Sequence, residues 1–293
     1  MSNLQISGGR VEYLELGSGD PVVLLHSSAS SSTQWRSLAE RLSERYRVIA
    51  PDLYSYGGTS HWTGRGPFHL ECEAEIVLAL LERVNQRAHL VGHSYGGAVA
   101  LHVARLHRDL LQSLTLIEPV AFHLLRETDA LALAEITEIA DTVVSAITRG
   151  DYMAGFERFV EYWGGPEASA RIPADTRHAM AARLPKIALE FHATLNEPSR
   201  PEDFCSMTVQ AQILYGTHSP RPARRVCGLL ERILPEAGLK SIDGAGHMAP
   251  MTHRDQVNAM IVAHLDANSR SASRRPAIGE SQPVISTARV ASC

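Results

Sequence analysis

The chain has 293 residues, 44% of them hydrophobic and 20% charged, enough to close a sizeable core in one large domain or two modest ones. A formal net charge of −4 with no long block of like charge speaks against a nucleic-acid partner, which needs a concentrated basic face. Four cysteines (Cys72, Cys205, Cys227 and Cys293) stand far apart with no CxxC pair, so neither a disulfide framework nor a zinc site is suggested, and no metal or other cofactor is expected. The first residues, Met1 to Gly9, lack the basic-then-apolar pattern of a signal peptide, and no stretch reaches the length of a membrane span. The expectation is a soluble cytoplasmic protein acting on a small molecule, with no membrane partner.

In chain order, Val11 to Leu16 alternates like a strand and ends in the turn Gly17-Ser18-Gly19-Asp20. Pro21 precedes the apolar run Val22 to Leu25, of buried-strand length. Trp35, Leu38 and Leu42 have helical spacing, and Arg47 to Ala50 again reads as strand. Asp52 to Ser60 is a loop rich in Gly, Ser and Tyr. The apolar residues of Leu70 to Val84 repeat with helical period. A short strand, His89 to Val91, precedes Gly92-His93-Ser94-Tyr95-Gly96-Gly97 and a helix over Ala98 to Leu106, then a strand from Leu114 to Ile117 stopped by Glu118-Pro119. Alternating short apolar strands and helices imply a parallel sheet with helices on both faces.

Strand signals then vanish until Val209. Helices are expected over Leu131 to Thr148, Tyr152 to Tyr162 and Ala179 to Thr194, the last broken or kinked at Pro185. Strands return at Val209 to Tyr215 and Leu239 to Ile242, flanking a helix near Ala223 to Leu234, and a last amphipathic helix covers Gln256 to Leu265. This divides the chain into a first sheet segment (1–119), a helical insert (120–206), a second sheet segment (207–267) and a tail (268–293) expected to be disordered from its Ser, Arg, Ala and Pro content.

Gly92-His93-Ser94-Tyr95-Gly96 fits G-x-S-x-G between an apolar strand and a small-residue helix, the setting of a nucleophile elbow. Such a serine sits in strained backbone, and the helix that follows favours developing negative charge. Ser94 is therefore the candidate nucleophile. It needs a base, and among 14 histidines His247 stands out because it lies after a late strand in a Gly-rich loop able to aim an imidazole over the sheet.

Taken together, Leu24-Leu25-His26, Ala50-Pro51-Asp52-Leu53, the Ser94 elbow and Gly244-Ala245-Gly246-His247-Met248-Ala249-Pro250 resemble the α/β-hydrolase family from about Val11 to Leu265. That resemblance implies an α/β fold with a mostly parallel eight-stranded sheet, helices on both faces and an inserted helical cap. It places His247 as the base, gives His26 and His93 structural roles, and seeks an acid a few residues after the Val209 to Tyr215 strand. This chain has Gly216-Thr217-His218-Ser219-Pro220-Arg221 there, with no carboxylate. An alternative known in the family puts the acid after the strand that follows the nucleophile helix, which is Glu118 here; Asp243 is the rival.

For the oxyanion, the backbone N–H of Tyr95 is one expected donor, and position in the loop His26-Ser27-Ser28 makes Ser28 the other, with Ser27 behind it. The aromatic stripe Phe156, Phe159, Tyr162 and Trp163 packs the insert, with Phe159 and Trp163 the pocket candidates. The leading expectation is hydrolysis of a small carboxylic ester through an acyl-serine. Hydrolysis of a C–C bond in a ring-cleavage product and non-catalytic small-molecule binding are the alternatives. Epoxide and haloalkane chemistry are disfavoured, since those relatives carry an aspartate where Ser94 stands.

Overall fold

Eight strands hydrogen-bond into one sheet in the computed structural model, which describes residues 1–64 and 66–272. They are β1 (Ser2–Ile6), β2 (Gly9–Leu16), β3 (Asp20–Leu25), β4 (Tyr46–Pro51), β5 (Ala88–His93), β6 (Leu111–Ile117), β7 (Gln210–Gly216) and β8 (Ala237–Ile242). The spatial order is β1-β2-β4-β3-β5-β6-β7-β8. The pairings β1–β2 and β2–β4 are antiparallel, and every other pairing is parallel.

The strands alternate their side chains between two layers, as a pleated sheet requires. Val23, Leu25 and Leu90 join one core, and Val22, Leu24 and Val91 the other. The first layer holds α2 (Leu70–Val84), α3 (Tyr95–Leu106) and α8 (Arg221–Ile233); the second holds α1 (Arg36–Leu42) and α10 (Arg254–Ala272). A one-turn helix, α9 (Ala249–Thr252), leads into α10. No described helix is long and apolar enough to cross a membrane.

Between β6 and β7 the chain leaves the sheet and forms α4 (Ala130–Arg149), α5 (Tyr152–Gly164), α6 (Ala174–Ala181) and α7 (Leu184–Asn196). The Asp129 side chain caps α4 by accepting from the Ala132 amide at 3.1 Å, and Asp151 caps α5 by accepting from Ala154 at 3.2 Å. Gly150, left-handed at φ 74°, ends α4.

The structure sharpens or differs from the sequence reading in three places. The helix expected over Ala179 to Thr194 is broken and not kinked: α6 ends at Ala181, and Pro185 lies in the first turn of α7, where its missing N–H has no intrahelical partner to lose. A further edge strand, β1, pairs with β2; its alternation is only half-buried, which hides it from a search for apolar runs. The tail expected from Asn268 starts as helix, because α10 continues to Ala272. The Ser269 hydroxyl holds that turn to the sheet through His89 Nε2 at 2.9 Å and donates to the Leu265 carbonyl at 3.0 Å. The rest of the expected tail, 273–293, lies outside the described residues.

The insert is fastened to the nucleophile's helix where it returns to the sheet. Glu197, just past α7, accepts from Arg105 of α3 at 3.3 Å, and Arg126 donates to the Glu197 carbonyl at 3.2 Å. Burial alone would push the Glu197 carboxyl up, but His102, His123 and Arg105 outweigh it and pull it down to about 2. An acid depressed in the folded state stabilises it above the unfolded value and loses that contribution as pH falls toward the folded one. Glu197→Gln should therefore lower stability near neutrality by about 2 kcal/mol. In denaturant melts, the gap from the unsubstituted protein should hold from pH 7 to about 5 and close as pH falls toward about 2.

Candidate active site

The elbow forms because two glycines let backbone segments meet. A side chain on Gly92 would collide with the backbone of Gly96, and one on Gly96 with the backbone of Leu25 and His26. The turn forces Ser94 to φ 55° and ψ −117°, a region a non-glycine residue enters only under constraint. The constraint is visible: the Ser94 amide donates to the Ile117 carbonyl at 2.9 Å, and the Ser94 carbonyl accepts from Ala98 at 3.0 Å and Val120 at 3.2 Å.

The Ser94 hydroxyl donates to His247 Nε2 at 2.8 Å, and His247 Nδ1–H donates to Glu118 Oε2 at 2.6 Å. The partners of each ring nitrogen set this tautomer. The other Glu118 oxygen, Oε1, accepts from the Gly216 amide at 2.6 Å and the Ser219 hydroxyl at 2.5 Å. Burial would raise the Glu118 carboxyl, but the bonds from His247, Ser219 and Gly216 outweigh it and hold the group below its ordinary value. Asp243 is not part of this line; it accepts from the Thr217 hydroxyl at 3.3 Å on the exposed side of the loop.

A second chain of hydrogen bonds positions the main chain around the site. The Ser27 amide and hydroxyl both donate to Gln34 Oε1, at 3.0 and 2.9 Å. Gln34 Nε2 donates to His93 Nδ1 at 3.1 Å, and His93 Nε2–H donates to the His247 carbonyl at 2.9 Å. Burial lowers His93 to about 3, so the ring stays neutral and keeps one donor and one acceptor. His26 joins two loops the same way, donating through Nδ1 to the Ser27 carbonyl at 2.7 Å and accepting the Leu53 amide at 3.0 Å. The Ser27 amide is committed to Gln34, and Ser28 lines the recess beside Ser94. Tyr95, the first residue of α3, belongs to the turn whose amides have no intrahelical partner.

Ser28, Ser94, Tyr95, Phe159 and Trp163 line one recess of about 20 Å³. It adjoins a cleft of about 310 Å³ lined by the Ser27–Ser30 loop, Ser94, His247, Met180, Met248 and Met251, with Phe159 and Trp163 again in its wall. Trp163 packs on the imidazole of His247 with 4.0 Å between ring centroids. Larger surface grooves along α4 and beside α2 contain none of Ser94, Glu118 and His247. Among the described residues, no cluster of His, Cys, Asp and Glu has the arrangement of a metal site.

Sequence reasoning missed Gln34, whose signal is no more than a polar residue in the turn before α1, and Ser219, whose loop was searched for a carboxylate rather than for donors to one.

Comparison with known proteins agrees with this architecture. Over 117 residues the chain is 35% identical to a soluble epoxide hydrolase of Corynebacterium sp. (strain C12), covering 39% of this chain and 40% of that protein. Over 122 residues it is 34% identical to a 2-hydroxy-6-oxo-6-(2'-aminophenyl)hexa-2,4-dienoic acid hydrolase of Metapseudomonas resinovorans, covering 38% and 40%. These matches thus span about two fifths of each relative's length. The crystal structure of a lipase described as putative, from Acinetobacter baumannii AYE, superposes with a TM-score of 0.75 at 23% identity over 92% of both chains, a likeness of fold. The family model of the alpha/beta hydrolase family matches residues 22–260, and the chain belongs to that family.

Proposed function

We propose that the chain is a serine hydrolase that cleaves a small carboxylic ester through an acyl-serine intermediate. The observation that carries this reading is the unbroken hydrogen-bonded line Glu118–His247–Ser94, ending at a hydroxyl in the wall of the cleft. His247 Nε2 takes the Ser94 proton as Oγ attacks the ester carbonyl. The amides of Tyr95 and Ser28 receive the oxyanion of the tetrahedral intermediate. Its collapse breaks the C–O bond, and His247 returns the proton to the departing alcohol. Water then repeats the cycle on the acyl-serine, giving the acid and free Ser94. Glu118 holds the Nδ1–H tautomer and stabilises the imidazolium formed in each half-reaction. Helices α4–α7 act as a cap whose Trp163 shields the imidazole from water.

Chemistry favours an acyl centre over an epoxide. Serine opening of an epoxide leaves an ether, which has no carbonyl for His247-activated water to attack. Hydrolysis of a C–C bond in a ring-cleavage product is the second reading, supported by the match to the dienoic acid hydrolase. It would use the same attack on a ketone, with the proton delivered to carbon.

Incubation with a fluorophosphonate should label the protein and abolish turnover of a short nitrophenyl ester, and Ser94→Ala should take no label; label retained in that variant overturns the assignment. Glu118→Gln should cut kcat by on the order of 10³–10⁴ while the protein stays folded by circular dichroism. A variant near full activity moves the acid role elsewhere. A panel with dienones beside esters separates the two readings.

His93→Leu removes the donor to the His247 carbonyl without touching the substrate cleft. It should lower kcat about 10- to 100-fold with little change in KM, because the imidazole loses its fixed orientation. An unchanged kcat with a lowered melting temperature would reduce His93 to a purely structural part.

A further inference from the structure

Ser94 opens onto two spaces of very different size, and His247 lines only one of them. The smaller is the recess of about 20 Å³, which runs from Ser94 toward Val120, Ile187 and Phe191. All of its lining residues except Ser28 are buried. The larger is the cleft of about 310 Å³, whose wall includes His247 and leads outward to the exposed Arg171 and Thr252. Phe159 and Trp163 line both spaces, so these two rings stand where recess and cleft adjoin.

The polar side chains at the inner end of the recess are already engaged. Glu190 accepts from Lys186 at 2.7 Å and from the Tyr56 hydroxyl, and the Thr194 hydroxyl donates to the Glu190 main-chain carbonyl at 2.9 Å. Lys186, with Arg183 over the Tyr56 ring, stands against Glu73 and Glu190, so the charges balance. What enters the recess therefore meets apolar surface and space for one water-sized group, with no call for a charge or a donor. The cleft is apolar too, through Val160, Ile172, Met180, Met248 and Met251. Of its described lining residues only Arg171 carries a fixed charge, and that side chain donates to the Pro166 carbonyl at 2.7 Å.

We propose that the acyl group occupies the recess and the alcohol the cleft, so that the preferred substrate is the acetate ester of a bulky apolar alcohol. This rests on the acyl-serine reading above. Proton transfer sets the direction of the ester. As the C–O bond breaks, the departing oxygen takes its proton from His247 Nε2, so the alcohol lies on the side that His247 lines, which is the cleft. The carbonyl oxygen takes the Ser28 and Tyr95 amides. The acyl chain is left with the remaining direction, toward Val120, Ile187 and Phe191. A methyl fits there. A longer chain must displace buried side chains that already pack on one another, Phe191 edge-on to Phe159 with 6.1 Å between ring centroids. The acetyl group stays on Ser94 Oγ until water releases acetate, while the unbranched methionines of the cleft adapt to the shape of the alcohol.

The acyl test holds the alcohol constant and compares nitrophenyl acetate, butyrate and hexanoate, each rate divided by that of hydroxide. In the unsubstituted protein, kcat/KM should fall about tenfold or more from acetate to butyrate, and again to hexanoate. Phe191→Ala, and Ile187→Ala as a second variant, should raise butyrate relative to acetate by about tenfold. Each ratio is taken within one variant, so a reduced folded fraction cancels. If the recess holds only the oxyanion, the acyl chain shares the cleft and butyrate matches acetate; that result, or a ratio unchanged in both variants, overturns the proposal. The alcohol test compares 2-naphthylethyl acetate with ethyl acetate, and the larger ester should be favoured about tenfold or more. Met251→Trp, which fills part of the cleft, should remove that preference and keep acetate ahead of butyrate; equal rates in the unsubstituted protein overturn the alcohol assignment. Sulfonyl fluorides read the recess without ester turnover: Ser94 Oγ displaces fluoride, and mass spectrometry follows the sulfonyl-serine. If no ester is cleaved but methanesulfonyl fluoride labels Ser94 about tenfold faster than hexanesulfonyl fluoride, the ester reading fails and the recess assignment stands. In that case equal labelling by the two, or none, overturns the assignment as well.

Discussion

A carboxylate taken out of water keeps its charge only where its oxygens are filled by donors, and Glu118 is fully buried. Its donors come from elements far apart in sequence: the Gly216 amide at the end of β7, the Ser219 hydroxyl in the next loop, and the His247 imidazole after β8. The sheet brings them together. β6 lies between β5 and β7, and the parallel register pairs His93 with Ile117 and Ile117 with Leu214. The residues that follow, Ser94, Glu118 and Tyr215, therefore leave the sheet at one level along its C-terminal edge. A one-residue shift of register in either pairing would separate the acid from its donors and at the same time exchange the strand's two apolar faces.

The same edge holds two strained residues. Ser94 at φ 55° and Glu118 at φ 44° both adopt conformations costing on the order of 1–3 kcal/mol each. Backbone bonds across the strands offset this: Ser94 donates to Ile117 at 2.9 Å, and Glu118 donates to Leu214 at 3.0 Å. Nucleophile and acid are thus fixed by main-chain bonds to neighbouring strands. His247 has no strand beneath it, and its loop approaches so closely that Gly216 could not carry a side chain without meeting the backbone of Ala245. A main-chain bond from the His218 amide to the Ala245 carbonyl at 2.9 Å holds that loop, and side chains add to it, the His93 ring bonded to the His247 carbonyl and Trp163 against its imidazole.

How much of this was legible in the sequence follows from how local each signal is. The elbow is local: glycines at 92, 96 and 97 serve a turn that nothing else in the chain imitates, so Ser94 could be read directly. The fold class was equally open, because the alternating apolar strands and helices each fit in a short window. His247 needed the Gly-rich loop and the family resemblance together. Glu118 was legible through the alternative acid position known in the family, once 216–221 offered only Gly, Thr, His, Ser, Pro and Arg. Gln34 and Ser219 could not be read that way. Each matters through a partner 59 or 101 positions away, and no periodicity encodes such a pairing. At Pro185 the local sequence leaves a break and a kink both open, and the structure has the break, with Pro185 in the first turn of α7.

Moving the acid onto β6 has a consequence for the insert. The chain passes from Glu118 straight into the excursion that holds α4–α7, and the Val120 amide, two residues on, donates to the Ser94 carbonyl at 3.2 Å. The excursion returns through Glu197, paired with Arg105 on the helix that Ser94 opens. Midway, Lys186 ties α7 to Glu73 of α2 inside the core layer. Entry, middle and exit of the insert are therefore each anchored within the nucleophile's own layer of the fold. A hinged lid needs a border crossed by few contacts. Three anchors of this kind, one of them a buried ion pair, tie the insert to the core, and the cleft beside Ser94 lies between the Ser27–Ser30 loop, Trp163 and Met251.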